Sequence, residues 1–190
     1  MNCIDISTPE GYRDQAIVLT LLDTALRVSE LVNIRLDDLW LEEGLIKVMG
    51  KGGKERFVPI GKSIQRILWR YMNKYRAEPA ITNCDFLFLT ADGRALTRDR
   101  IDKKMSHYGE KASIQGVRCS PHTLHHTAAV MWVRNGGDVF SLQQILGHST
   151  LDIVRTYVNL AQNDIEAAHR IHSPADNLEI KTPRVRRVRK

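Results

Sequence analysis

At 190 residues the chain is long enough to bury a hydrophobic core in one main domain, and its 43% hydrophobic and 26% charged residues suit a soluble globular protein. No apolar run approaches membrane-spanning length, no secretory leader is expected ahead of Pro9, and Cys3, Cys84 and Cys119 are odd in number without CxxC spacing. A disulfide framework and a zinc knuckle are therefore unsupported, and the cysteines read as reduced thiols of a cytoplasmic protein.

The formal charge is +6, from 28 basic and 22 acidic residues, but six of the basic ones lie between Lys181 and Lys190 and leave the remainder balanced. The expected organisation is a folded body over 1–180 and a disordered basic tail over 181–190, suited to polyanions, to docking on a neighbour, or simply to solubility. Any nucleic-acid surface on the body must come from segregated charge. Three stretches qualify: Lys47, Lys51, Lys54 and Arg56; Arg66, Arg70, Lys74 and Arg76; and Arg94, Arg98, Arg100, Lys103 and Lys104. Each could equally be a solvated face.

In chain order, Ile17, Leu19, Leu21 and Leu22 lead into Thr24-Ala25-Leu26-Arg27-Val28-Ser29-Glu30-Leu31, a pattern of helix, tight turn, helix. From Leu39 to Ile60 the apolar residues alternate over short runs, and Gly52-Gly53 between Val48 and Phe57 signals a hairpin. Ile64, Ile67, Leu68, Tyr71, Met72 and Tyr75 recur at helical spacing with a basic opposite face, up to Pro79. Phe86 to Leu89 predicts a short buried strand or extended segment before a turn at Asp92-Gly93, and another helix follows Thr97. From Ser120 three helices are expected, broken at Gly136-Gly137 and at Gly147, and the last of them carries Tyr157. The fold class is α+β, mainly α, with a small antiparallel sheet.

Ser120-Pro121 reads as a helix entrance that places His122 beside exposed backbone donors, with His125 one turn on and able to share an anionic ligand. Ordinary surface or core histidines are the plainer reading. His122 and His126 also have the spacing of a metal pair, but Thr123 stands where HExxH needs glutamate and no carboxylate ligand lies near in sequence. Lys51 sits at the hairpin tip in Gly50-Lys51-Gly52-Gly53-Lys54, which lacks the GxxxxGK[ST] of a nucleotide-binding loop. His148 precedes a helix start at Ser149 and Asp152, and Tyr157 falls about two turns into that helix.

Taken in order, Thr24 to Leu31, Gly50 to Ile60, Ser120 to Thr127, Leu146 to Ser149 and Tyr157 resemble the catalytic domain of tyrosine recombinases, the phage integrase family. The match runs from about Tyr12 to His169. The resemblance implies a mainly helical domain with a three-stranded sheet that acts on double-stranded DNA without metal or nucleotide cofactor, assembled as a homo-oligomer, a tetramer on DNA. It also implies roles. Tyr157 would attack the scissile phosphate to form a 3′-phosphotyrosyl bond, Arg27 would clamp a non-bridging oxygen and Glu30 would orient Arg27. Lys51 would protonate the leaving oxygen, and His122 and His148 would assist proton transfer.

Two departures from the family pattern stand out. The sequence His122-Thr123-Leu124-His125 places a histidine where a second arginine is expected, so transition-state stabilisation should fall by roughly 10² to 10³, as on removal of one oxyanion donor. The alternative is a DNA-binding module with impaired catalysis. The core-binding domain that usually comes first in the family is expected to be absent, because only about ten residues precede the first matched helix.

Overall fold

A computed structural model describes residues 3–50, 52–147, 169 and 173. Helix α1 (Pro9–Thr24) starts where Thr8 accepts a hydrogen bond from the Gly11 N–H at 3.1 Å, with Pro9 preset for the first turn. It stops at Ala25, whose φ of 49° is left-handed and whose N–H donates to the Leu21 carbonyl at 3.0 Å. The chain then enters α2 (Val28–Leu31), a single turn. Helix, turn and helix are thus present as the sequence suggests, the second helix being much the shorter.

Strands β1 (Leu39–Trp40), β2 (Leu45–Met49) and β3 (Glu55–Pro59) form an antiparallel sheet in that order. The register pairs Leu45 with Pro59 and Met49 with Glu55, and the Gly50 N–H closes the hairpin on the Lys54 carbonyl at 2.8 Å. Gly52 and Gly53 have φ of 79° and 74°, a conformation that side chains disfavour, which explains the glycine pair. Ile46, Val48 and Val58 face the core while Trp40 and Phe57 pair on the outer face, 4.8 Å between rings.

Helix α3 (Lys62–Arg70) buries Ile64 and Leu68 and continues as one π turn, Tyr71–Tyr75, ending four residues before Pro79. Arg66, Arg70 and Lys74 lie on its exposed face, as expected. Arg76 does not join them. Its guanidinium donates to the carbonyls of Cys84, Phe86 and Leu87 at 3.3, 2.8 and 3.1 Å, holding the buried segment that runs from Leu87 to Leu89. That segment is extended, with isolated bridges from Phe86 to Arg35 and from Leu89 to Ala95.

Helix α4 (Arg98–Lys111) begins at the Thr97 cap and is tied to α1 by a polar knot. Asp14 accepts from Arg13 at 2.7 and 2.9 Å, from the Tyr108 hydroxyl at 2.6 Å and from Lys104 at 3.2 Å. Burial, and then the bond to Asp14, push the Tyr108 phenol well above its ordinary value.

Helix α5 (Pro121–Arg134) opens as its sequence proposes, with Ser120 Oγ accepting from the Thr123 N–H at 3.2 Å and Pro121 in the first turn. Helix α6 (Val139–Leu146) is capped by Asp138 and ends at Gly147, φ 64°. The next helix foreseen from the sequence, the one with Tyr157, lies outside the described residues. Two apolar clusters result: a large one formed by α1, α3, α4 and the sheet, and a small one of Ala25, Ala128, Ala129, Leu142 and Leu146 under α5 and α6. The architecture is α+β, mainly α, and no helix among the described residues is long and apolar enough to cross a membrane.

Candidate active site

Arg27 is the residue just before α2, a position that keeps its side chain 40% exposed beside the sheet and the end of α6. Its Nη1 donates to Glu30 Oε1 and to the Leu146 carbonyl, both at 3.4 Å, and its backbone N–H donates to Glu30 Oε2 at 3.0 Å. Glu30, only 5% exposed at the side chain, is held more firmly by Arg56 of β3 through two parallel bonds of 2.8 and 3.0 Å. Such a fork on a carboxylate is the strongest ion-pair geometry available to arginine. Arg56 also donates from Nε to the Ile145 carbonyl at 3.1 Å. Both guanidinium groups therefore rest on the last carbonyls of α6, the negative end of its dipole.

Burial alone would raise the Glu30 carboxyl. The Arg56 bonds, the Arg27 N–H and the two positive charges outweigh it and hold the carboxyl below its ordinary value. The first basic stretch thus loses two members as a free surface. Arg56 is committed to Glu30, and Lys47 pairs with Asp38 at 3.2 Å and Glu55 at 3.8 Å.

On α5 the histidines diverge. His125 is buried, and its Nδ1–H donates to the Ala25 carbonyl at 2.6 Å, because a carbonyl can only accept. Its Nε2 then carries a proton only when the ring is cationic. His122 is exposed, and its hydrogen-bond partner is His126, with Nε2 atoms 2.8 Å apart. Burial, and then the neighbouring His122, lower the His126 pKa.

These bonds join distant parts of the chain. Arg27, Glu30 and Arg56 form one network with the end of α6, and His125 binds the carbonyl of Ala25 two residues before Arg27. His122 lies on the same helix as His125, one turn nearer its start. Lys51, His148 and Tyr157 lie outside the described residues, although the hairpin that brackets Lys51 carries Arg56 on its second strand. Among the described residues no three His, Cys, Asp or Glu side chains gather as a metal set.

Arg56 is the residue whose place sequence reasoning missed. The signal was the period of two: Arg56, Val58 and Ile60 share a strand face, so Arg56 had to point toward the core and needed a buried acid.

The fold and site define a mainly helical domain in which Arg27, just before α2, and the hairpin arginine Arg56 meet on the buried Glu30 at the end of α6, while His125 of α5 binds the carbonyl of Ala25. Residues 1–164 match the phage integrase family, and the chain belongs to that family. It is 37% identical over 173 residues to tyrosine recombinase XerD of Staphylococcus haemolyticus, a match covering 90% of this chain and 58% of the relative. To tyrosine recombinase XerC of Oceanobacillus iheyensis it is 36% identical over 176 residues, 91% of this chain and 57% of the relative. The crystal structure of XerA recombinase superposes with a TM-score of 0.69 at 31% identity, over 85% of this chain and 57% of that one. XerH site-specific recombinase bound to its palindromic difH substrate, a post-cleavage complex, gives 0.71 at 22% identity, over 91% of this chain and 48% of that one, a likeness of fold alone. The chain spans about 58% of the length of the curated XerD relative it matches.

Proposed function

We propose that this chain is the catalytic domain of a site-specific recombinase that cleaves and rejoins double-stranded DNA through a 3′-phosphotyrosyl intermediate. The observation that carries the reading is the Arg27–Glu30–Arg56 network, which fixes a part-exposed guanidinium at the junction of α2, β3 and α6 in a chain of this family. A guanidinium fork suits two non-bridging phosphate oxygens, and a rigid mount avoids reorganisation as charge builds there. The Tyr157 oxygen bonds to phosphorus, the bond to the 5′ oxygen breaks, and that oxygen takes a proton from the Lys51 ammonium. His122 and His148 hold phosphate oxygens and ease removal of the phenol proton, and the reverse sequence rejoins a strand. His125 supports the site with weaker charge than arginine would. The working form is a cytoplasmic homo-oligomer on DNA, with the catalytic body over 1–180 and the basic end at 181–190.

A nicked DNA site that releases a short fragment on cleavage tests the proposal by trapping the covalent complex. The unmodified protein is expected to form an adduct, insensitive to chelators, and Tyr157→Phe to form none. An adduct that persists in Tyr157→Phe, or DNA binding without any adduct even in His125→Arg, would overturn the reading.

A further inference from the structure

His122 and His126 stand one turn apart at the start of α5, their Nε2 atoms separated by 2.8 Å and their rings at 84°. Two imidazole nitrogens this close can share a proton, and the same approach lets them share a cation. An ion held at about 2.0–2.1 Å from each nitrogen, with a right angle between the bonds, needs a separation of about 2.9 Å, the geometry of tetragonal nickel or copper. A tetrahedral ion needs a slightly wider opening. The i, i+4 spacing on a capped helix sets both rings on one face before any ion arrives.

We propose that His122 and His126 form a two-histidine chelate for a divalent transition ion. His122 is exposed and His126 half-buried, so an ion can reach the pair from solvent. The pair supplies two ligands where a structural site commonly has four, and the proposed role of the ion is that of a reversible regulator or inhibitor. A second consequence rests on the recombinase reading. An ion on His122 takes away the nitrogen that would serve the phosphate, so strand cleavage slows while the fold stays intact.

Nickel titrated into the untagged full chain, followed by calorimetry, tests the chelate without any reference to activity. One saturable ion per chain is expected, lost in His122→Asn and in His126→Asn, and retained in His107→Asn, a change at an exposed histidine on α4. Circular dichroism verifies that the variants fold. In the unmodified protein paramagnetic nickel should broaden the ring protons of His122 and His126 before those of His107. Absence of saturable binding, or binding untouched by both substitutions, overturns the chelate. In the cleavage assay saturating nickel should depress adduct formation by about 10²-fold, the weight of a lost proton-transfer group, with recovery on chelation and no effect in His126→Asn. Undiminished adduct at saturation overturns the inhibition and leaves the chelate standing. A protein that forms no adduct without nickel, even as His125→Arg, fails the recombinase reading, while the calorimetric result still decides the chelate.

Discussion

At position 125 the fold is served by an imidazole where the family pattern expects a guanidinium. The ring spends Nδ1–H on Ala25, whereas a guanidinium has five donors and could serve the carbonyl and a phosphate together. His125→Arg is therefore expected to raise single-turnover adduct formation by roughly 10² to 10³. His125→Leu leaves the buried carbonyl unpaired and should cost about 1–3 kcal/mol in urea unfolding. Glu30 carries the pH signature. Its folded carboxyl titrates below the ordinary value of about 4.3, so its contribution to stability is complete above that pH and disappears as pH falls through the lowered folded value. Urea midpoints measured from pH 6 down to pH 3 should fall, and Glu30→Gln, already destabilised, should flatten that part of the curve. Loss of the opposite partner in Arg56→Ala strands a buried carboxylate and should cost about 3–5 kcal/mol.

At the level of elements, the sequence is most readable where a local rule decides. Gly52-Gly53 specified the hairpin, Ser120-Pro121 specified the start of α5, and Gly147 specified the end of α6, because each needs only its own backbone geometry. Partnerships between elements were hidden. Arg56 and Arg76 looked alike as members of basic stretches, yet one seeks a glutamate on α2 and the other three carbonyls of a buried segment. Those choices depend on how α2, β3 and the 84–87 segment come together, which no spacing records. For the site, Arg27 and Glu30 could be paired from their i, i+3 spacing and His122 placed at a helix start, while the inward turn of His125 required the Ala25 carbonyl from 100 residues away. Gly147 links the two kinds of information. It has φ 64°, and a Cβ there would come within 3.1 Å of the Arg56 guanidinium carbon, so Gly147→Ala should cost about 1–2 kcal/mol in urea unfolding and disturb the Arg56 bonds.

Across the whole molecule, charge is arranged more sparingly than the total of +6 suggests. Arg94, Arg100, Lys103 and Lys104 each lie within 4 Å of an aspartate, while Arg66, Arg70 and Lys74 have no such partner among the described residues. The α3 face and the basic tail are then the main electrostatic handles. Removing residues 181–190 takes away six cations and should reduce the slope of log affinity for DNA against log salt by up to about 5, measured by fluorescence anisotropy. The smaller apolar cluster has a different consequence. Three of its five buried members are alanines, with Leu22, Val130, Trp132, Val133 and Val139 packed around them, and among the described residues polar bonds from His125 to Ala25, Arg56 to Ile145 and Arg27 to Leu146 also tie α5 and α6 to the body. That seam is where the molecule should breathe first. On the recombinase function proposed above, a DNA phosphate held by both Arg27 and His122 would act as its fastener, so the substrate itself would complete the rigidity that the reaction requires.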